Sequence, residues 1–133
     1  MKLTSRSEYA LLALVYLARG RQGEFRTVEA VAAAQGIPAK FLEQIMLILK
    51  RARYVRSAKG RGGGFQLAKA PSAVSLAEVI RLFDGALAPT ESVSKYFYEP
   101  TPVEKEKKLL GVFKRVRDSV AGIMEKTTLA DVA

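Results

Sequence analysis

Between residues 27 and 53 two stretches of helical character are separated only by Gly36-Ile37-Pro38, and this punctuation constrains the fold more than any other feature. Thr27 can cap the first stretch, because its hydroxyl can accept from an amide that the opening turn leaves unpaired, and Val28 to Gln35 forms the body. Gly36 can adopt the left-handed conformation that ends a helix. Pro38 suits the first position of the next helix, where its missing amide would be unpaired anyway, so that helix is expected to run to about Arg53. Two helices around a tight glycine turn are the outline of a helix-turn-helix.

The flanking segments extend this outline. Ser5-Arg6-Ser7-Glu8 reads as a capping box opening a helix that ends at Gly20, with Tyr9, Leu12, Ala13, Tyr16 and Leu17 as its core face. In the helix after Pro38, the residues Phe41, Leu42, Ile45, Met46, Ile48 and Leu49 form the apolar side. Lys40, Glu43, Gln44, Leu47 and Arg51 fall on another side, the candidate reading face. Tyr54-Val55-Arg56 and Phe65-Gln66-Leu67 are β-prone runs around Ser57 to Gly64, a hairpin with a glycine-rich tip that would serve as a wing. Ser75-Leu76-Ala77-Glu78 is a second capping box, opening a helix that stops at Asp84-Gly85.

Residues 86 to 102 carry Pro89, Pro100 and Pro102 around Tyr96-Phe97-Tyr98, which disfavours a continuous helix. A last long helix is expected from about Val103 to Lys126. Its Leu109, Phe113, Val116, Val120 and Ile123 are spaced four, three, four, three, a heptad seam about two heptads long. Such a seam is expected to dimerise the chain, the alternative being that it packs onto the chain's own core. The fold class is therefore mainly α with a small β-hairpin: a winged helix-turn-helix domain over 1–85, a connecting loop over 86–102, and a dimerisation helix with its tail over 103–133.

Charge separates these parts. Residues 1 to 69 hold 13 basic and 4 acidic side chains, whereas residues 70 to 133 hold 9 of each, so the whole formal excess of +9 lies in the N-terminal half. That half suits a polyanion. From Lys40 to Arg61 there are seven basic residues and one acid, a plausible phosphate footprint on a helix and its adjoining hairpin. A helix fits the DNA major groove, where Lys40 could donate to guanine, Gln44 could pair with adenine and Glu43 could accept from cytosine. Gly60-Arg61-Gly62-Gly63-Gly64 offers one guanidinium on a tip with almost no side-chain bulk, suited to close approach to DNA. A nucleotide-binding loop fits poorly there, because the glycines lie between two strands and do not lead into a helix.

The absence of cysteine and histidine removes disulfides, thiolate chemistry and the commonest metal ligands, and points to a cytoplasmic chain with no cofactor. No nucleophile–base pair can be recognised, so an enzyme is not expected. The apolar run from Ala10 to Ala18 is too short to span a bilayer, and no membrane association is expected. The rival class is a basic interaction module that binds a protein partner or an acidic membrane surface.

With these residues in view, the chain resembles the Rrf2 family of winged-helix transcription regulators over nearly its full length. Met1 to Ala10 resembles that family's opening, Phe41-Leu42-Glu43-Gln44-Ile45 its recognition helix, Gly60 to Leu67 its wing, and Leu76 to Gly85 the helix that follows. Thr127 to Val132 is similar to the end of its long dimerisation helix. The resemblance implies a homodimer, acting as a repressor or activator, on a near-palindromic site in double-stranded DNA. By motif position it marks Lys40, Phe41, Glu43 and Gln44 on the recognition helix, Arg61, Gly62, Gly63 and Gly64 on the wing, and Thr4 and Ser5 as phosphate partners; Arg51 and Lys59 join the DNA-binding candidates from the basic cluster. Many members carry three cysteines between the shorter helix and the dimer helix, to hold an iron–sulfur cluster. Here that segment offers Ser92, Ser94 and Thr101, and neutral hydroxyls do not replace thiolates, so no cluster is expected. Ser92, Tyr96, Phe97 and Tyr98 remain candidates for a small-molecule or protein effector.

Overall fold

The computed structural model describes residues 1–133. Six helices and one hairpin follow in the order α1 (Ser5–Arg19), α2 (Val28–Gln35), α3 (Ala39–Arg51), β1 (Val55–Ala58), β2 (Gly64–Leu67), α4 (Leu76–Asp84), α5 (Lys107–Lys126) and α6 (Leu129–Val132). Short 3-10 turns occupy Pro71–Ala73, Glu91–Val93 and Pro102–Lys105.

The helix-turn-helix forms where the sequence places it. Thr27 accepts from the amide of Ala30 at 3.1 Å, and Gly36 sits at φ 66°, the left-handed cap. Pro38 occupies the N-cap of α3, one position earlier than expected, and α3 stops at Arg51. Arg53 ends it by entering the left-handed region at φ 67°, while the amide of Tyr54 bonds back to Leu49 O at 2.9 Å. An arginine gives no warning of this conformation, which explains the two-residue overrun of the sequence reading.

Ala10, Ala13, Leu14 and Leu17 of α1, Val31 of α2, Leu42, Ile45, Met46 and Leu49 of α3, and Val55 of β1 share one core with Val74 and Val79. Burial of these side chains from both strands and helices is the main favourable term holding the domain. The α1 face is thus turned from the one expected: Leu12 is exposed, while Ala10 and Leu14 are buried. Tyr9 and Tyr16 pack at its margin.

α1 is capped by Thr4 and not by Ser5. The Thr4 hydroxyl oxygen accepts from the amide of Ser7, and Ser5 is exposed. The box at α4 forms as expected, with Ser75 and Glu78 satisfying each other's amides. Glu78 also accepts from the Tyr54 hydroxyl at 3.1 Å, tying the wing's base to α4. Burial and the Glu78 carboxylate push the Tyr54 hydroxyl up to about 12.

α5 begins at Lys107, after the 3-10 turn at Pro102–Lys105, and contains no buried residue. It is held to the domain at a few points, among them an Arg81–Glu125 ion pair at 2.7 Å and a bond from Arg117 to Val93 O at 2.9 Å. The ending differs from the expected continuation of a dimer helix. The chain breaks at Thr127, Thr128 bridges to Ser75, and α6 turns back so that Leu129 is fully buried in the main core.

Candidate nucleic-acid interface

α3 is amphipathic along its length. Leu42, Ile45, Met46 and Leu49 anchor one side in the core, which leaves Lys40, Glu43, Gln44 and Arg51 exposed on the other. Phe41 and Leu47 are exposed as well, at 41% and 43%. The Phe41 ring is held edge-on against Tyr9 at 5.5 Å, so it stands on the surface in a fixed pose. The first turn of α3 carries no side-chain cap, because Pro38 has no hydroxyl or carboxylate to offer. Its opening amides, beside the exposed Lys40, therefore have no side-chain acceptor.

β1 and β2 pair antiparallel from Val55–Leu67 to Ala58–Gly64, and Lys59 and Arg61 are exposed at the tip. The glycines of this tip divide into two kinds. Gly62 is exposed, and a Cβ there would meet nothing. Gly63 is buried, and a Cβ on it would collide with the Ala58 carbonyl; one on Gly64 would collide with the backbone of Arg26. Two of the glycines expected on the contact surface therefore serve the hairpin's own packing.

Arg26 is the residue that the sequence reading missed. Its amide donates to Phe65 O at 2.8 Å and its carbonyl accepts from Phe65 N at 2.7 Å, which adds a third edge to the wing. Its guanidinium donates to the Tyr16 hydroxyl at 3.3 Å and pairs with Glu24. The only hint in the sequence is a lone Phe25-Arg26 before the Thr27 cap.

Thr4 is already engaged. Its hydroxyl donates to Asp84 at 2.6 Å, and Ser7 donates to the same carboxylate at 2.6 Å. Ser5 is free at the surface.

In the segment before α5, Ser92 is buried and accepts from Thr101 at 2.6 Å, while Ser94 accepts from the amide of Phe97. Tyr96, Phe97 and Tyr98 are exposed. The expected seam residues Leu109, Val116 and Ile123 stand open at 46%, 42% and 64%, and Phe113 and Val120 are half-buried.

A helix-turn-helix whose second helix is bare along one flank, followed by a hairpin with a cationic tip, defines a winged-helix DNA-binding transcription regulator. Residues 3–133 match the model of the family described as Rrf2, iron-dependent transcriptional regulator, and the chain belongs to the Rrf2 family. A chain of Mycobacterium tuberculosis named as an HTH-type transcriptional regulator is 38% identical over 136 residues, covering 100% of this chain and 81% of that protein. The HTH-type transcriptional regulator CymR of Bacillus subtilis is 29% identical, covering 100% of this chain and 90% of that protein.

Among solved structures, B. subtilis CymR, described as the global cysteine regulator, superposes with a TM-score of 0.81 at 26% identity, covering 100% and 96% of the two chains. IscR of T. potens does so with a TM-score of 0.76 at 25% identity, covering 99% and 85%. These likenesses match the mainly helical fold, the hairpin and the long C-terminal helix.

The family description names iron, so the donors available here matter. No group of three or more histidine, cysteine, aspartate or glutamate side chains is brought together, and the serine and threonine hydroxyls of 86–102 are bonded within their own segment. These residues do not fit an iron–sulfur cluster. No helix is long and apolar enough to cross a membrane.

Proposed function

We propose that this regulator works as a homodimer on a near-palindromic DNA operator, without an iron–sulfur cluster. Each protomer lays α3 in a major groove and the wing against the neighbouring backbone. The observation that carries the reading is the bare first turn of α3: an uncapped helix start with Lys40, Glu43 and Gln44 all exposed, on a helix immobilised by four buried residues behind it. Lys40 and Gln44 read base edges, Phe41 and Glu43 shape the contact, and Arg51, Lys59 and Arg61 neutralise phosphates, with the exposed Ser5 hydroxyl as a further donor. Gly62 keeps the tip thin beside Arg61.

The open α5 seam supports dimerisation, since Leu109, Val116 and Ile123 remain largely exposed in the single chain. Two such helices crossing would set the recognition helices about one DNA turn apart. An effector, if one acts through 86–102, meets the exposed Tyr96, Phe97 and Tyr98.

Selection of bound sequences from a random duplex pool by the purified full chain tests this reading. The expected product is a palindromic motif with half-sites about one helical turn apart. Recovery of an asymmetric motif would remove the symmetric dimer, and recovery of none at low and moderate salt would remove the operator reading.

A further inference from the structure

A cleft of about 590 Å³ lies between the turn that follows α1 and the base of the wing. It is away from the α3 reading face and from the 86–102 segment, and its volume is that of a small-molecule site. Its chemistry is one-sided. Arg21, Arg56 and Lys69 line it, and Glu24 is its one acid, already paired with Arg26 at 3.4 Å. Arg21 and Arg56 have no ion-pair partner, and Lys69 rests over the Tyr54 ring at 4.5 Å.

Two buried nitrogens without hydrogen-bond partners lie in this region, one on a residue of the lining and one behind it. Gln66 Nε2 is one, on a residue that lines the cleft. Arg26 Nε is the other, and the Arg26 guanidinium lies against Gly20, also in the lining. Buried polar groups are nearly always bonded, so an orphan donor on the lining, with a second behind it and unpaired cations beside it, marks a place where an acceptor is missing. Leu17, Leu67 and Pro71 add apolar wall, which suits an organic body attached to the acceptor.

We propose that this cleft binds a small phosphate monoester, with Arg21 and Arg56 as counter-charges and the Gln66 amide, rotated out of its buried position, as hydrogen-bond donor. A guanidinium pair matches the geometry of a phosphate dianion. Because Arg56 and Gln66 are cross-strand partners in β1 and β2, the ligand would bear directly on the wing. This inference does not rest on the operator reading.

The test is a titration of the full chain with glycerol 3-phosphate at constant ionic strength, followed by the NMR signal of the Gln66 side-chain amide, which Gln66→Leu identifies by its loss. A saturable shift is expected, with glycerol silent. The double variant Arg21→Gln/Arg56→Gln should weaken binding about tenfold or more, whereas Lys114→Gln on α5 should not. No saturable shift overturns the proposal, as does a shift that survives the double variant, which is diffuse attraction to a basic surface. If duplex DNA moves the Gln66 amide and the monoester does not, the phosphate belongs to the nucleic-acid backbone and the small-ligand site is refuted.

Discussion

Asp84, the last residue of α4, accepts a hydrogen bond from the Thr4 hydroxyl at 2.6 Å, so the start of α1 is fastened to the end of α4 across 80 positions of sequence. Ser7, fully buried, donates to the same carboxylate, and the Thr4 amide adds a third bond at 3.2 Å. Burial would raise the Asp84 carboxyl, but the bonds from Ser7 and Thr4 and the nearby Arg6 outweigh it and hold the group below its ordinary value.

Asp84→Asn should therefore lower stability at neutral pH by about 1–2 kcal/mol, a charged hydrogen-bond acceptor being worth that much where it is only partly shielded. A carboxyl depressed in the folded state contributes fully above its unfolded value and loses that contribution as pH falls through the folded one. Urea unfolding should show the two proteins far apart at pH 7 and converging in acid, below the ordinary 3.8. Parallel pH profiles would mean that the carboxylate is not the stabilising form.

Gly62 and Gly64 should respond differently to alanine. Gly62→Ala has open space at φ 77° and should cost about 1 kcal/mol, the ordinary penalty of a left-handed residue. Gly64→Ala drives a methyl into the Arg26 backbone at φ 133° and should cost about 3 kcal/mol or prevent folding. Thermal melts of the two variants give the comparison.

On the selected operator, Gln44→Ala should lower discrimination at one base pair by about 1–3 kcal/mol. Arg61→Ala should weaken binding to all duplexes and reduce the salt slope by about one. Anisotropy titrations at several salt concentrations separate the two effects. If neither variant alters sequence preference or salt slope, the reading elements have been misassigned.

Val116→Glu places a charge in the open seam of α5. Because Val116 is 42% exposed in the single chain, the melting temperature of the isolated fold should change little. Sedimentation at micromolar concentration should show a monomer, and operator affinity should fall about a hundredfold or more through lost bivalency. A dimer that persists would locate the interface elsewhere.

The local rules of the sequence reached as far as local physics reaches. Thr27, Gly36 and the Ser75–Glu78 box act through bonds to their near neighbours, so their roles could be read from adjacent letters. The β-prone runs around the glycine-rich tip and the apolar side of α3 were legible for the same reason, being patterns of residue type and spacing along a short stretch of chain. Phe41 was the exception, placed on that apolar side although its ring stands 41% exposed against Tyr9.

What tertiary structure decided are the contacts between distant letters. The Thr4 cap owes its pose to Asp84, the crowding of Gly64 to Arg26, and the break at Thr127 to the room that the core leaves for Leu129. By itself the sequence determined the helix-turn-helix, the wing and the basic character of the N-terminal half, because these follow from capping, periodicity and charge along the chain. Which hydroxyl is spent, which glycine is buried and where the last helix turns back depend on neighbours brought together only by folding, and no local pattern encodes them.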